Sequence, residues 1–480
     1  MSSDCPYCAC ATPPGVSGLA VIRMAGTGSA EVLDHVFHIF RSADDSLSVK
    51  DMRGYTAAFG TIYDPISDHV IDEVICTRFT APHSYTGEDC VEISCHGGSA
   101  VRQEILRVLL ANGARSAEPG EFTRAAFLAG KIDLSQAEAV MDVIAADSKL
   151  ALEAAERQLA GSLKQSVRDI SRALYISFAA LEMIVEFPEH EDSPENTQSI
   201  ITDLSLQLAS LSGIAASFSQ GRILREGMTV VLCGVPNSGK SSLLNRLAGY
   251  DRAIVTASPG TTRDTLEVFS SIEGIPVRLI DTAGLRDAKD EIEKLGISRA
   301  YAAVKEADLL LWLCSPKGND LEEGSELFSA LSDSGLQSDI GILVSKADLF
   351  DKELSDDFMN TIKEQIRTWG FFVQIRFFLV FSSETGEGIE LLGKEIRHLY
   401  DEKGQGQMSQ VLLTNSRHFE KITIAADTLS ETVAVLKRGQ SADLACSLLR
   451  STMDALGEIT GDSVNEELVH TIFSRFCIGK

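Results

Sequence analysis

Gly234-Val235-Pro236-Asn237-Ser238-Gly239-Lys240-Ser241 fits the pattern G-x-x-x-x-G-K-[ST], and its reading decides how the rest of the chain is taken. Glycines let the backbone curl until successive N–H groups point inward at an anion. The lysine adds a point charge, and the serine hydroxyl is suited to ligate Mg2+. The apolar run Met228 to Cys233 before it reads as a strand, and Ser242 to Ala248 after it reads as a helix. That strand–loop–helix setting is what a phosphate cradle requires. The bland alternative is a glycine-rich turn without function, and the segments downstream argue against it.

Asp281-Thr282-Ala283-Gly284 closes the apolar strand Val277 to Ile280. An aspartate there holds Mg2+ through its water shell while the glycine N–H approaches a γ-phosphate. D-x-x-G alone is a common turn; its place after the phosphate loop, at a strand end, gives it weight. Between the two lies Gly260-Thr261-Thr262-Arg263, where a threonine hydroxyl can complete Mg2+ coordination when a γ-phosphate is present. Ser345-Lys346-Ala347-Asp348 ends the strand Ile340 to Val344. A carboxylate only accepts hydrogen bonds, so Asp348 suits guanine, which offers N1–H beside an amino group, and opposes adenine's N1 lone pair. Serine replaces the usual asparagine of N-K-x-D and cannot form the same amide bridge, so lower affinity is expected. Ser382-Ser383-Glu384 follows Phe377 to Phe381, where backbone N–H would meet guanine O6. The expected nucleotide contacts are Asn237, Ser238, Gly239, Lys240, Ser241, Ser242, Thr256, Ala257, Ser258, Pro259, Gly260, Thr261, Thr262 and the D-x-x-G, S-K-A-D and S-S-E segments.

Hydrolysis needs a positioned water and neutralisation of developing charge. Leu285, directly after D-x-x-G, cannot orient water. Asn237 and the loop Thr256 to Thr261 supply oxygens near the β- and γ-phosphates, and a monovalent cation held there would replace an arginine finger. Carboxylates between Arg286 and Glu293 are candidates for holding the water; read singly, each is a solvated helix start.

At 480 residues the chain is too long for one ordinary core. Its net charge of −26 repels nucleic acid and anionic membranes at long range, so a role on RNA calls for a local basic patch or a partner that supplies charge. No basic run of that kind is present. Ten cysteines are scattered, mostly in apolar stretches, which fits a reducing compartment. The cluster Cys5-x-x-Cys8-x-Cys10 lacks a nearby fourth ligand and makes a weak zinc case against a plain strand entry. No secretory signal is evident and no apolar run approaches membrane-spanning length, so a cytoplasmic protein is expected.

Residues 1–120 mix short strands (Gly18 to Arg23, Tyr55 to Ile62, Asp72 to Phe79, Asp89 to Cys95) with a helix from Ala100 to Ala111, an α+β pattern. Residues 121–222 turn helical: from Leu134 to Phe187 apolar residues recur at three- and four-residue steps. Pro188 to Pro194 reads as a loop, and Ser199 to Ser219 as helix again. Residues 223–400 alternate strand and helix, as in a doubly wound α/β domain. Residues 401–480 return to amphipathic helix, so the α/β domain looks inserted between two halves of a helical one.

The whole chain resembles the MnmE (or TrmE) family of tRNA-modification GTPases. The resemblance rests on Ala11-Thr-Pro-Pro-Gly-Val-Ser-Gly-Leu-Ala-Val-Ile-Arg23, on Tyr85-Thr-Gly-Glu-Asp-Cys-Val-Glu-Ile-Ser-Cys-His-Gly-Gly98, on Pro119-Gly-Glu-Phe-Thr-Arg-Ala-Ala-Phe-Leu-Ala-Gly-Lys131 and on the terminal Phe476-Cys477-Ile478-Gly479-Lys480. It implies a multidomain fold: an α+β N-terminal folate-binding domain, a discontinuous all-α helical domain and an inserted α/β P-loop GTPase domain. It further implies a homodimer formed through the N-terminal domains. Arg23, Glu92, Lys131 and Lys480 would contact a formylated tetrahydrofolate (5-formyltetrahydrofolate). The implied GTPase is potassium-activated, with Asn237, Thr256, Ser258 and Thr261 on the K+ and Ser241 and Thr262 on Mg2+. Lys240 and Glu293 would be catalytic, Glu293 orienting the attacking water through a second water. An FAD-dependent partner would join in modifying C5 of the wobble uridine of certain tRNAs with a folate-carried one-carbon unit, and would carry most of the tRNA contact. Cys477 has two readings: a nucleophile near the folate, or a buried cysteine at a helix end.

Competing functions are a ribosome-assembly GTPase acting as a timed binding module, and a one-carbon enzyme with a regulatory GTPase insert. Only one phosphate loop is present and no G-x-x-G clamp with basic flanks, which disfavours the first. Folate turnover without tRNA would favour the second.

Overall fold

The computed structural model of the chain describes residues 5–40, 48–186, 194–234, 237–249, 266–281, 307–315, 339–350, 352–369, 374–405, 411–464 and 466–479. It divides into two compact units: Met1–Ile144, Gln158–Leu208 and Ile424–Lys480 form the first, Ala145–Arg157 and Ala209–Thr423 the second.

In chain order, β1 (Tyr7–Cys10), β2 (Ser17–Ala25), α1 (Ser29–Asp34), β3 (Phe37–Ile39), β4 (Thr56–Asp64), β5 (His69–Phe79), β6 (Cys90–Gly97), α2 (Ser99–Ala111) and β7 (Arg115–Ser116) open the chain. Six helices follow: α3 (Glu121–Leu128), α4 (Leu134–Ala145), α5 (Lys149–Leu159), α6 (Ser162–Glu186), α7 (Pro194–Ala216) and α8 (Phe218–Glu226). Then come β8 (Met228–Gly234), α9 (Lys240–Ala248), β9 (Leu266–Ile272), β10 (Ile275–Asp281), β11 (Leu309–Cys314), β12 (Asp339–Val344), α10 (Lys352–Trp369), β13 (Ile375–Val380) and α11 (Ile389–Gln405). Helices α12 (Ser416–Lys437), α13 (Ala442–Thr460) and α14 (Glu466–Phe473) end it.

In the first unit a seven-stranded sheet runs in the order β3-β4-β5-β6-β2-β1-β7. Alternation along the strands sends Ile22, Met24, Ile93 and Cys95 to one face, where they form a core with Ile105 and Leu109 of α2. The alternate residues of the same strands, Arg23 and Glu92, stand opposite each other across the β2–β6 pair. The expected strands and the helix are present; β1, β3 and α1 add to them.

The helical run from Leu134 breaks twice. Asp133 and Gln136 cap α4 reciprocally: the Asp133 carboxylate accepts the Gln136 N–H at 2.7 Å and the Gln136 amide oxygen accepts the Asp133 N–H at 3.1 Å. Ser148 Oγ accepts the Ala151 N–H at 3.1 Å and so starts α5, and Gly161 at φ 91° separates α5 from α6. The buried stripe of α6, from Leu163 through Val167, Ile170, Leu174 and Phe178 to Leu181, packs along α13. Pro194, expected in a loop, is the first residue of α7, where its missing N–H costs nothing; residues 188–193 lie outside the described set. Among the described residues Thr197–Glu226 is the one helical stretch long and apolar enough to cross a membrane. It also carries Asp203 and buries Ile200, Ile201, Leu204 and Leu211.

The second unit holds a six-stranded sheet, β13-β12-β11-β8-β10-β9. Strands β8, β10, β11, β12 and β13 are parallel, and β9 joins the edge antiparallel to β10. Every residue of β11 and β12 is buried, because a parallel sheet covered on both faces demands continuous apolar strands. Val230 and Leu232 pack with Leu243, Leu247, Leu392 and Ile396 on one side; Val231 and Cys233 pack with Trp312, Ile342 and Ile362 on the other. The strand order reverses at β8, so a crevice opens beyond its carboxyl end. Helix α11 runs through residue 400 and belongs to this unit.

Candidate functional site

β8 ends at Gly234, whose φ of 147° and whose distance of 2.3 Å from an added Cβ to the Leu313 carbonyl oxygen leave no room for a side chain. The chain turns through Asn237 at φ 64° and Gly239 at φ 97°, and Gly239 is the residue just before α9. Ser238 is buried at 1% exposure, and among the described residues its hydroxyl has no hydrogen-bond partner. Lys240 is the first residue of α9; its Nζ donates to the Gly234 carbonyl at 2.8 Å, bracing the loop it closes. Ser241 follows and donates through Oγ to Asp281 Oδ2 at 3.1 Å. Asp281 is fully buried at the end of β10, held there by parallel pairing with β8. The phosphate loop and the D-x-x-G aspartate thus come together. Ser242 lies exposed on the first turn of α9.

The base-side segments stand at the same edge of the sheet. Ser345 follows β12, and Lys346 at φ 64° turns the chain into a 3-10 turn over Ala347–Leu349. The Ala347 N–H donates to the Phe381 carbonyl at 3.1 Å and ties this segment to the end of β13. Asp348 is exposed, and its Oδ1 accepts from Ser382 Oγ at 2.5 Å. Ser382 is fully buried, and the same oxygen accepts the N–H groups of Glu384 and Thr385 at 3.2 Å each. Ser383 is half-buried and Glu384 exposed. Sequence reasoning placed Ser382 only as part of a backbone contact to guanine; the structure makes its hydroxyl the aligner of Asp348. Ser345 Oγ donates to the Cys314 carbonyl at 3.2 Å. Thr256, Ala257, Ser258, Pro259, Gly260, Thr261, Thr262, Thr282, Ala283, Gly284, Glu293 and Lys480 lie outside the described residues.

A second cluster forms in the first unit. Arg23 Nε donates to Glu92 Oε1 at 2.8 Å. The Arg23 guanidinium also lies 5.4 Å from the Tyr85 ring centre and 5.6 Å from that of Phe122. The Tyr85 hydroxyl meets Thr123 Oγ1 at 3.0 Å, and burial pushes its phenol above the ordinary range. Lys131 Nζ donates to the Pro82 carbonyl at 3.0 Å and to that of Ser84, next to Tyr85. Charges of both signs and two aromatic walls therefore gather in one place. Tyr85 and Phe122 were not singled out from sequence, because a ring standing over a guanidinium from another element leaves no mark on spacing.

Cys477 is exposed rather than buried, which corrects the bland reading of it. Its carbonyl accepts the Gly120 N–H at 3.4 Å, and Ile478 forms an isolated bridge with Pro119. Cys8 lies in the sheet core, and burial pushes its thiol up to about 11. Cys8 and Cys10 lie in β1 and Cys5 just before it; among the described residues no group of three or more His, Cys, Asp and Glu is set to hold a metal ion.

The family profile "GTP-binding protein TrmE N-terminus" matches residues 6–131 and "MnmE helical domain" matches residues 134–477. The tRNA modification GTPase MnmE of Acetivibrio thermocellus is 38% identical over 474 residues, covering 98% of each chain. That of Chlorobium chlorochromatii is 38% identical over 478 residues, 99% of this chain and 98% of the relative. Among solved structures, the G domain of the T. maritima FeoB iron transporter matches 36% of this chain and 98% of its own at 26% identity, with a TM-score of 0.26. Two family profiles in tandem and full-length relatives above 30% identity give one answer: the chain belongs to the MnmE family of tRNA-modification GTPases.

Proposed function

We propose that the chain hydrolyses GTP to GDP and phosphate and couples that turnover to modification of C5 of the wobble uridine of certain tRNAs, together with an FAD-dependent partner. The observation that carries the GTPase reading is the convergence of Lys240, Ser241 and Asp281 at one end of the crevice with the Ser382-aligned Asp348 at the other. Lys240 Nζ and the first N–H groups of α9 bind phosphate oxygens, and Asp348 accepts from the guanine N1–H and amino group. Ser241 Oγ and the Asp281 carboxylate are hard oxygen donors 3.1 Å apart, a set that suits Mg2+. With Thr262 they would hold that ion, which supplies charge neutralisation at the β- and γ-phosphates.

The finer reading rests on the family resemblance. Asn237, Thr256, Ser258 and Thr261 hold K+, and Glu293 orients the attacking water where Leu285 cannot. Arg23, Glu92, Lys131 and Lys480 hold a 5-formyltetrahydrofolate or related folate. The paired Arg23 and Glu92 beside two rings suit a ligand with a flat N–H edge and carboxylates. The protein works as a cytoplasmic homodimer in which residues 1–120 dimerise and bind folate, 223–400 form the GTPase domain, and 121–222 with 401–480 form the helical domain. The partner carries most of the tRNA contact, consistent with a net charge of −26.

The test is GTP hydrolysis in potassium against sodium buffer, followed by nucleoside analysis of tRNA incubated with the protein, GTP, folate and an FAD-containing cell fraction. Potassium should raise hydrolysis steeply, and modified uridine should appear only with GTP. Equal rates in the two salts would remove the cation assignment, and unmodified tRNA would remove the coupling.

A further inference from the structure

Helix α6 carries two apolar stripes. The buried one, Leu163 to Leu181, packs along α13. The other faces solvent, where an outward helix face ordinarily shows charge: Tyr175, Ile176 and Met183 are 64–66% exposed, with exposed Ala179 between them. Spacings of three, four and seven residues set them along one side of the helix. Single apolar residues are ordinary on a surface, whereas a contiguous line of them marks a contact.

The charges at its ends specify the partner. Arg172 stands seven residues before Ala179 and Glu186 seven after, both exposed. Seven residues make nearly two full turns, so all three share the line. It reads cation, Tyr-Ile, Ala, Glu-Met, anion, and reversed it is its own complement. Laid antiparallel on a second α6 with Ala179 on the two-fold axis, Arg172 meets Glu186 and Tyr175 meets Met183, each pair occurring twice. A methyl group at the axis lets the two backbones reach the spacing of packed helices, about 8–10 Å. A thioether against a ring is a favourable contact. Glu182, beside Met183, is balanced within its own chain: Arg450 of α13 stands 3.5 Å from it and 5.4 Å from the Phe178 ring centre.

We infer that this face of α6 is a self-association surface that pairs antiparallel with the same face of a second copy of the chain. The inference is independent of the nucleotide-site reading, and the contact is separate from dimerisation through residues 1–120. Seven residues a side, Arg172 to Glu186, are few beside the roughly 20–30 of a standing interface, so the pairing is weak and grows with concentration. Where residues 1–120 also pair, two different two-fold contacts per chain join dimers to one another.

Sedimentation equilibrium of the full-length chain across the micromolar range tests this. The wild-type mass should climb with concentration. Arg172→Glu and Glu186→Arg each set like charges opposite each other at both ends and should weaken association about tenfold. Combined in one chain they restore the attraction and should return association to wild-type strength. Both positions are exposed, so neither change disturbs the core. A mass independent of concentration would overturn the inference, as would a double variant no stronger than the single ones. The smallest species reads the other contact separately: a monomer there would remove pairing through residues 1–120 and leave the α6 contact standing. Ala179→Cys treated with a short bismaleimide reports the register. Peptides linked 179 to 179 are expected; links from 179 to other cysteines alone would overturn the antiparallel arrangement.

Discussion

Ser382→Ala removes one oxygen and should cost the base-side half of the pocket much of its grip. The hydroxyl donates to Asp348 at 2.5 Å and accepts two backbone N–H groups at 3.2 Å each, from a fully buried position. A hydrogen bond to a charged group contributes about 1.5–3 kcal/mol. The lower figure applies here because Asp348 is exposed and its freed oxygen returns to water. The amides of Glu384 and Thr385, on exposed residues, are also resolvated, adding about 0.5 kcal/mol between them. A total of about 1.5–2 kcal/mol corresponds to a ten- to thirtyfold loss of GDP affinity. Magnesium pyrophosphate, which does not touch Asp348, should bind as it does to wild type. Titration calorimetry with both ligands, beside a thermal melt without ligand, reads the difference. GDP affinity within twofold of wild type in folded protein would refute the alignment argument, as would an equal loss for pyrophosphate.

Asp348→Asn replaces an acceptor-only group with one that also donates; GTP should bind at least tenfold more weakly and discrimination against other purine bases should relax, as competition titrations would show. Arg23→Ala strips Glu92 of its cation and two rings of their partner, so folate binding by fluorescence quenching should fall tenfold or more, with a stability loss of about 1–3 kcal/mol in denaturant melts. Cys477→Ser should leave GTP hydrolysis intact and abolish tRNA modification if the exposed thiol is a nucleophile; unchanged modified-nucleoside yield would assign it no chemistry.

Much of this was legible because parallel strands buried on both faces write themselves as unbroken apolar runs. Strands β8 and β12 therefore stood out, and partly buried β10 and edge strand β13 were placed by the motifs to which they hand their carboxyl ends. Lys240, Ser241 and Asp281 were found by residue type and order alone. Strand β1, four residues long, was hidden because its cysteines drew the eye to metal chemistry instead of alternation. The helix breaks at Ser148 and Gly161 carried cap signals inside a strongly periodic stretch, which masked them. The Ser382–Asp348 bond and the rings over Arg23 were out of reach for a different reason. They join residues from separate elements, and nothing in a linear spacing reports which oxygen faces which carboxylate.

The tail of the chain lies against its beginning. A Cβ added to Gly479 would stand 2.3 Å from the Cys10 carbonyl, and one added to Gly120 would strike the Phe473 carbonyl at 2.6 Å. Side chains are thus barred on both sides of a seam that joins β1 and Gly120 to residues 473–479, far along the chain. The seam cannot close until synthesis has passed residue 479: the sheet that contains β1 must wait, with that border open, while the intervening residues are made. Ribosome-stalled chains cut short before Phe473 should therefore be nicked by protease near Pro119 and Gly120, where the released full-length protein resists.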